Sequence, residues 1–298
     1  MTDLGISGIG PRGSVGDSND LFAGLPSLLA ERQEPRSDLP PTLSHYCDLY
    51  ALNSILIKHS LWASNIRFLN DKKEMDFGID VAKDLLDELR QSTYKGSTPM
   101  PPSRRIAITD IPDVYAVCFC EKSDLLSQWR GYGSTQQSVS IQFDSSGLLT
   151  LGFMKMFSLK KIIYGREKAL AQLRDGFDRI DDIVGAISRR EPVDTPAEQK
   201  RVILELSPQF KTEHFEEEQE WRLVSFGEQK QISYRPRDNV LLPYVQVGHP
   251  ANIPLPIGSI TVGPGKDNEL TKKSIEHLLA NSAYPHVQVR TSEIPFRV

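Results

Sequence analysis

The sequence predicts an α+β fold built on a mixed or antiparallel sheet. Strand-sized apolar alternations recur along the chain, and helical spacings fall between them without the regular strand–helix beat of a parallel α/β protein. The hydrophobic fraction of 39% still allows a sizeable core, with the polar surplus concentrated near the start of the chain.

Residues 1–40 are rich in Gly, Ser, Asp and Pro and carry no periodic apolar pattern beyond LPSLLAE. Such a stretch cannot bury enough surface to offset its ordering entropy, so it reads as a disordered leader. Pro40-Pro41 marks entry into one folded domain over 41–298. Thr42 to Tyr46 reads as a strand and Asp48 to Ser60 as an amphipathic helix with Leu49, Leu52, Ile55 and Leu56 on one stripe. Leu61 to Ser64 is a second strand. Asn70-Asp71 looks like the cap of a helix running to about Arg90, and a Ser/Thr/Pro-dense loop follows.

Tyr115 to Cys120 is the next strand, Ser123 to Gly131 a helix, and Val139 to Phe143 a strand whose Val139, Ile141 and Phe143 alternate with polar residues. Lys160 to Tyr164 reads as one strand. Two helical patterns then fill about 166–212, interrupted around Pro192 and Pro196. Strands follow at Glu220 to Phe226, Val240 to Val247, Ser259 to Val262 and Val287 to Val289, with a helix from Asn268 to Ala280 between the last two.

Composition excludes several classes. With 35 Lys plus Arg against 39 Asp plus Glu, the net charge of −4 gives no global field for nucleic acid or anionic membranes. The longest uninterrupted apolar run, Val114 to Phe119, is far shorter than the roughly 18 residues a membrane span needs. The start MTDLGISGIG lacks a cationic n-region and an apolar h-region, so a cytoplasmic protein is expected. Three cysteines are too few for a disulfide framework. Cys118 and Cys120 should share a strand face as reduced thiols, Cys47 should be a core thiol, and no ligand cluster suggests a metal.

Four clusters gather polar and aromatic groups at element ends: LSHYCDLY, LWASNIRFLNDKKE, CFCEKSDLLSQWRGYG and EEEQEWRLVSF. His45 ends a strand and either serves a ligand hydroxyl or caps local backbone. Trp62 and Trp129 offer flat faces for stacking or are core residues. Asn70, Asp71 and Glu74 have the spacing of a helix N-terminus. On the strand from Glu220, alternation puts Glu220, Arg222 and Val224 on one face, so Arg222 can orient Glu220; the neighbouring acidic run suggests a solvated ion pair. Gly263-Pro264-Gly265 joins a strand to a helix but lacks both GxGxxG and the Walker lysine. No G-x-S-x-G elbow or H-E-x-x-H motif occurs.

The order LSHY, LWAS with FLND and Glu, CFC…W…Y before SVSIQF, EQEWRLV and ITVGPG, from about Leu43 to Gly265, resembles the bacterial domain-of-unknown-function family 2971. The sequence departs from that pattern at Lys72, where the family has Pro, and at Cys120, where it has Ser. The family in turn is similar to the ADP-ribosyltransferase superfamily. That resemblance implies a split sheet with flanking helices, and NAD as a substrate cleaved at its nicotinamide–ribose bond, with no metal. ADP-ribose would pass to a macromolecule, protein or nucleic acid, or to water, as in a bacterial toxin, phage-defence protein or effector. His45 takes the ribose-binding position, Trp62 or Ser64 the second, and Glu220 that of the catalytic glutamate. Tyr46, Asn70, Glu74, Trp129, Tyr132 and Arg222 would line the same cleft.

The chemistry suits those types: cleavage builds positive charge at C1′, which a fixed carboxylate stabilises while a His and an aromatic face hold the sugar and ring. His45 and Glu220 should therefore meet over one ribose. Two other functions fit the same residues, a non-catalytic module that senses a nucleotide or holds a partner, and a hydrolase acting on nucleic acid. The leader's composition also resembles the export regions of effectors delivered into host cells.

Overall fold

The computed structural model describes residues 38–68, 74–94, 111–132, 137–187, 195–226, 231–237 and 239–295. The leader expected over 1–40 thus lies almost wholly outside the described residues, as do Asn70 and Asp71 and the side chains of Glu74 and Tyr132.

Among the described residues, ten strands form one sheet. Its long path begins with β12 (Gln288–Thr291), β11 (Ile257–Val262), β4 (Ser138–Asp144) and β1 (Thr42–Asp48). It continues through β3 (Val114–Cys120), β2 (Ser60–Asn65), β10 (Val240–Gly248) and β9 (Ser233–Arg237). β8 (Glu220–Phe226) lies on the other edge of β3 and carries β5 (Ser158–Lys161) beyond it. Only β11 and β12 run parallel, so the sheet is mixed and mostly antiparallel, as the sequence suggested.

Helices cover both faces. α1 (Leu49–Lys58), α4 (Ser145–Met154) and α7 (Asn268–Ala280) pack on one, with Leu52, Ile55, Leu56, Leu148, Leu151, Ile275 and Leu279 buried against Leu43, Phe119, Ile141 and Trp221. α2 (Glu74–Tyr94), α5 (Arg166–Ile187) and α6 (Thr195–Leu206) cover the other over Val114, Ala116 and Val224. α2 approaches residue 207 so closely that a Cβ on Gly78 would lie 2.6 Å from the Ser207 carbonyl oxygen, which only glycine tolerates. Ion pairs Arg166–Asp84 and Arg174–Glu88 join α5 to α2.

Three boundaries differ from expectation. The strand read over Lys160 to Tyr164 breaks at Ile162: β5 stays in the large sheet, while β6 (Ile163–Tyr164) pairs with β7 (Phe210–Lys211) in a separate parallel ribbon. β9 was not expected, since Pro236 breaks the strand signal. Pro236 pairs with Leu241 on this outermost strand of the long path, the place where a sheet tolerates a residue without an N–H. α4 also lacked a sequence signal, because its apolar residues surround the helix; Asp144 starts it by accepting from the Gly147 N–H at 2.7 Å.

The strand that organises everything is β3. One edge pairs with β8 over its whole length. The other edge is shared: Cys120 pairs with Ser44 of β1, whereas Ala116 and Tyr115 pair with Ser64 and Asn65 of β2. Between these footholds Val117, Cys118 and Phe119 have no ladder partner on that edge among the described residues. The sheet therefore forks, with the β1 and β2 wings diverging from a common stem.

Candidate functional site

The fork is where backbone groups need other partners. His45 supplies one: its Nδ1 lies 2.9 Å from the Cys118 carbonyl oxygen. A carbonyl only accepts, so Nδ1 carries the hydrogen. Burial pushes the His45 pKa below its usual value, the carbonyl bond opposes this, and the Arg235 charge adds to the lowering. His45 is thus neutral at pH 7, and its Nε2 is an acceptor.

The β2 wing brings the complementary groups. Trp62 and Ser64 stand two apart on β2, and Tyr244 and Gln246 of β10 pair with Ser64 and Trp62 on the same face. From β9, Arg235 reaches across β10 to set its guanidinium carbon 4.9 Å from the centre of the Trp62 ring, and it donates to the Ser64 hydroxyl at 3.2 Å. Trp62 is half-buried, rests 5.1 Å from the Tyr244 ring, and keeps its indole N–H buried without a hydrogen-bond partner among the described residues. Such a donor is costly to leave unmade. Ser64 pairs with Ala116, so Ser64 and Trp62 stand on the α2 face, while His45 turns to the other face of the sheet. The fork therefore offers an indole donor, an aromatic face and a guanidinium on one face, and a ring nitrogen that accepts on the other.

Glu220 belongs to a different neighbourhood. Register settles its face: Ser44 pairs with Cys120, and Cys120 with Glu220, so these three share the α2 face. His45, one residue on from Ser44, emerges on the opposite face beside Phe119. The expectation that His45 and Glu220 converge over one sugar is therefore not met. They touch Cys118 from two sides, His45 through its carbonyl and Glu220 through its thiol.

Nor is Glu220 presented to solvent. It is 5% exposed, and Arg222, at 1%, grips it with Nε to Oε1 at 2.6 Å and Nη2 to Oε2 at 2.8 Å. Lys211 donates to the same Oε2 at 3.0 Å and to Glu218 at 2.7 Å. The β6–β7 ribbon delivers these partners: β7 supplies Lys211, and Tyr164 of β6 accepts from the Glu220 backbone N–H at 2.8 Å. Burial by itself would raise the Glu220 pKa; Arg222 and then Lys211 outweigh it and hold the carboxyl at about 2. The ion pair expected on a solvated sheet face is thus a buried network. Arg222 spends a further donor on the Pro208 carbonyl at 3.0 Å, which fixes the chain just ahead of β7.

Trp129 and Tyr46 likewise build structure. Trp129 is buried, packs edge-to-face on Tyr46 at 4.7 Å and donates to Asp124 at 2.6 Å. Tyr46 donates to the Lys122 carbonyl. Neither ring is free to stack a ligand. Gly263 of the Gly-Pro-Gly turn lies directly beneath Trp129, where a Cβ would come within 2.7 Å of the indole, and its carbonyl accepts from Gln137. That turn is packed rather than open. Arg235 is the candidate site residue that sequence reading missed; the Asp-Asn pair in the sequence after it, between a basic and an apolar stretch, was the available signal of a hairpin.

With this geometry in view, comparison with known proteins gives one result. Residues 128–223 match the model of a family described as Protein of unknown function (DUF2971). The match runs from α3 (Leu126–Tyr132) through Leu223 of β8, and so takes in Trp129 and the Glu220–Trp221–Arg222 block. This is the family that the sequence blocks resemble. No curated protein and no solved structure matches the chain. Among the described residues no group of three or more His, Cys, Asp or Glu is placed to hold a metal ion, and no helix is long and apolar enough to cross a membrane.

Proposed function

We propose that the fork is a binding site for a nucleotide of the NAD class and that the chain works as a nucleotide-holding or nucleotide-sensing module. The observation that carries this reading is the cluster on the β2 wing beside the unladdered edge of β3: Trp62, Ser64 and Arg235 from two strands, around an indole N–H that has no acceptor among the described residues. A phosphate suits Arg235, a base or nicotinamide suits the indole face, and a hydroxyl oxygen suits the indole N–H.

A second reading is NAD cleavage, with ADP-ribose passed to a macromolecule or water. What favours it is that Cys118 links Glu220 to His45. It requires a carboxylate facing C1′, and Glu220 would first have to leave Arg222 and Lys211.

Thermal melting with NAD, ADP-ribose and AMP tests the first reading. A ligand at 100 times its Kd should add about 2.7 kcal/mol of stability. Absence of any shift at millimolar nucleotide would sink it. Nicotinamide release, measured by chromatography and abolished in a folded Glu220→Gln protein, would transfer the conclusion to the second reading.

A further inference from the structure

We infer that a cavity at the end of the sheet where β3, β2, β10 and β9 meet binds a zwitterion, an α-amino acid with an aromatic or branched apolar side chain. The inference does not depend on the nucleotide reading, because the cavity opens on the other face of the sheet from Trp62. Alternation along the strands separates the two. Ser64, Tyr244 and Arg235 share the face of Trp62, so their neighbours Asn65, Pro243 and Tyr234 turn the other way, together with Tyr115, which pairs with Asn65. These four residues line a cavity of about 440 Å³. That is in the lower part of the range for ligand sites, roughly 300–1,000 Å³, and suits a molecule of amino-acid size.

Two opposite charges, Arg67 and Asp113, line this cavity without pairing. Arg67 gives Nη2 to the Ile111 carbonyl at 2.7 Å and keeps its other guanidinium donors. Asp113 accepts from the Asn65 amide at 2.9 Å through Oδ1, which leaves Oδ2 open. Neither has an ion-pair partner among the described residues. Asn65 sets their spacing, since its Oδ1 accepts from the Arg67 backbone N–H at 3.1 Å while its Nδ2 holds Asp113. Tyr115 is fully buried, and its hydroxyl has no hydrogen-bond partner among the described residues. Burial raises its pKa, the Asp113 charge adds to this and the nearby Asn65 amide opposes it, so the hydroxyl keeps its proton and can donate. A buried donor left unmade is costly, and a ligand oxygen would relieve it.

The signs select the ligand. An anion alone would meet the Asp113 carboxylate, and a cation alone the Arg67 guanidinium. A zwitterion suits both, with its carboxylate on Arg67 and the Tyr115 hydroxyl and its ammonium on Asp113. The remaining wall is apolar: Phe68, Ile232, Tyr234 and Leu241 are exposed hydrophobics lining the cavity, and Pro243 stands opposite Tyr234. A large apolar side chain would cover them.

Calorimetric titration of the full chain with phenylalanine, phenylalaninamide and N-acetylphenylalanine provides the test. The amide lacks the ligand's negative charge and the acetyl derivative its positive one. Wild-type protein should bind phenylalanine at least about tenfold more tightly than either derivative, the scale of one charge-assisted bond. Arg67→Met should bring phenylalanine and its amide within about twofold, and Asp113→Asn should do the same for phenylalanine and its acetyl derivative. Both side chains are exposed, so both variants should melt as the wild type does. Tyr115→Phe should weaken phenylalanine about tenfold, the scale of a hydrogen bond to a charged group. If phenylalanine, leucine and tryptophan all fail to bind at millimolar concentration, the inference is overturned. A derivative that binds the wild type as tightly as phenylalanine overturns it too. So does phenylalanine binding that is kept in Arg67→Met and lost in Trp62→Ala, which would move the ligand to the other face.

Discussion

Replacing Glu220 by Gln separates a structural carboxylate from a catalytic one. The swap keeps shape but removes the charge that Arg222 and Lys211 share. Lys211 keeps Glu218 at 2.7 Å, and so retains a counter-charge. Arg222, buried to 1%, keeps the Pro208 carbonyl but meets a neutral amide where the carboxylate stood. Removing one partner of a buried pair costs about 3–5 kcal/mol, because the surviving charge is stranded. At roughly 2–4 °C per kcal/mol for a chain of this size, the melting temperature should fall by about 6–20 °C. The pH profile gives an independent check. A carboxyl whose folded pKa is depressed to about 2 contributes stability that is complete above its ordinary range and is lost as pH falls towards 2. Urea unfolding from pH 7 down to 2.5 should show wild-type stability declining below about 4.5, the ordinary carboxyl range. In Glu220→Gln that decline should be shallower. A variant that unfolds within 1 kcal/mol of wild type and keeps the wild-type pH profile would refute the clamp, and would return Glu220 to the candidates for catalysis.

Three further outcomes follow from the same geometry. Because the His45 pKa is lowered by burial, the folded state takes up a proton later than the unfolded one; stability is full above about 6.5 and falls as the solution is acidified below it. His45→Gln should flatten that segment of the urea-unfolding profile. Met156, 83% exposed, sits at φ 58° where a glycine usually closes a helix, with the Phe157 N–H on the Gly152 carbonyl and the Met156 N–H on that of Phe153. Met156→Gly should raise stability by about 0.5 kcal/mol, the left-handed penalty less glycine's extra freedom when unfolded, as read by urea midpoint. Trp129→Phe leaves Asp124 short of one donor, although Ser292 and the Glu293 N–H still serve it, so a loss of about 1–3 kcal/mol is expected with nucleotide affinity unchanged.

Much of the architecture was legible because local signals agreed with the final packing. β8 begins and ends where its alternation does, at Glu220 and Phe226, and α7 spans Asn268 to Ala280 as its spacing implied. The elements that escaped are those whose stability is not local. β9 contains Pro236 and two arginines, and forms through pairing with β10. β6 and β7 are two residues each, and exist because they place Tyr164 and Lys211 on the Glu220 network.

The site divides the same way. Sequence singled out His45, Trp62 and Ser64 as candidates, and alternation put Arg222 beside Glu220. It could not supply the parity between strands. Whether Ser44 or His45 faces Cys120 is a one-residue choice of register, and that choice put the imidazole and the carboxylate on opposite sides of the sheet.

The most direct measurement is calorimetric titration of ADP-ribose into wild-type, Trp62→Ala and Glu220→Gln proteins at a temperature where all three are folded. Loss of a stacking face should weaken binding by about 1–3 kcal/mol in Trp62→Ala, whereas Glu220→Gln should bind as the wild type does. Binding that survives without the indole and disappears with the carboxylate would place the ligand at the buried network instead of the fork, and contradict the account.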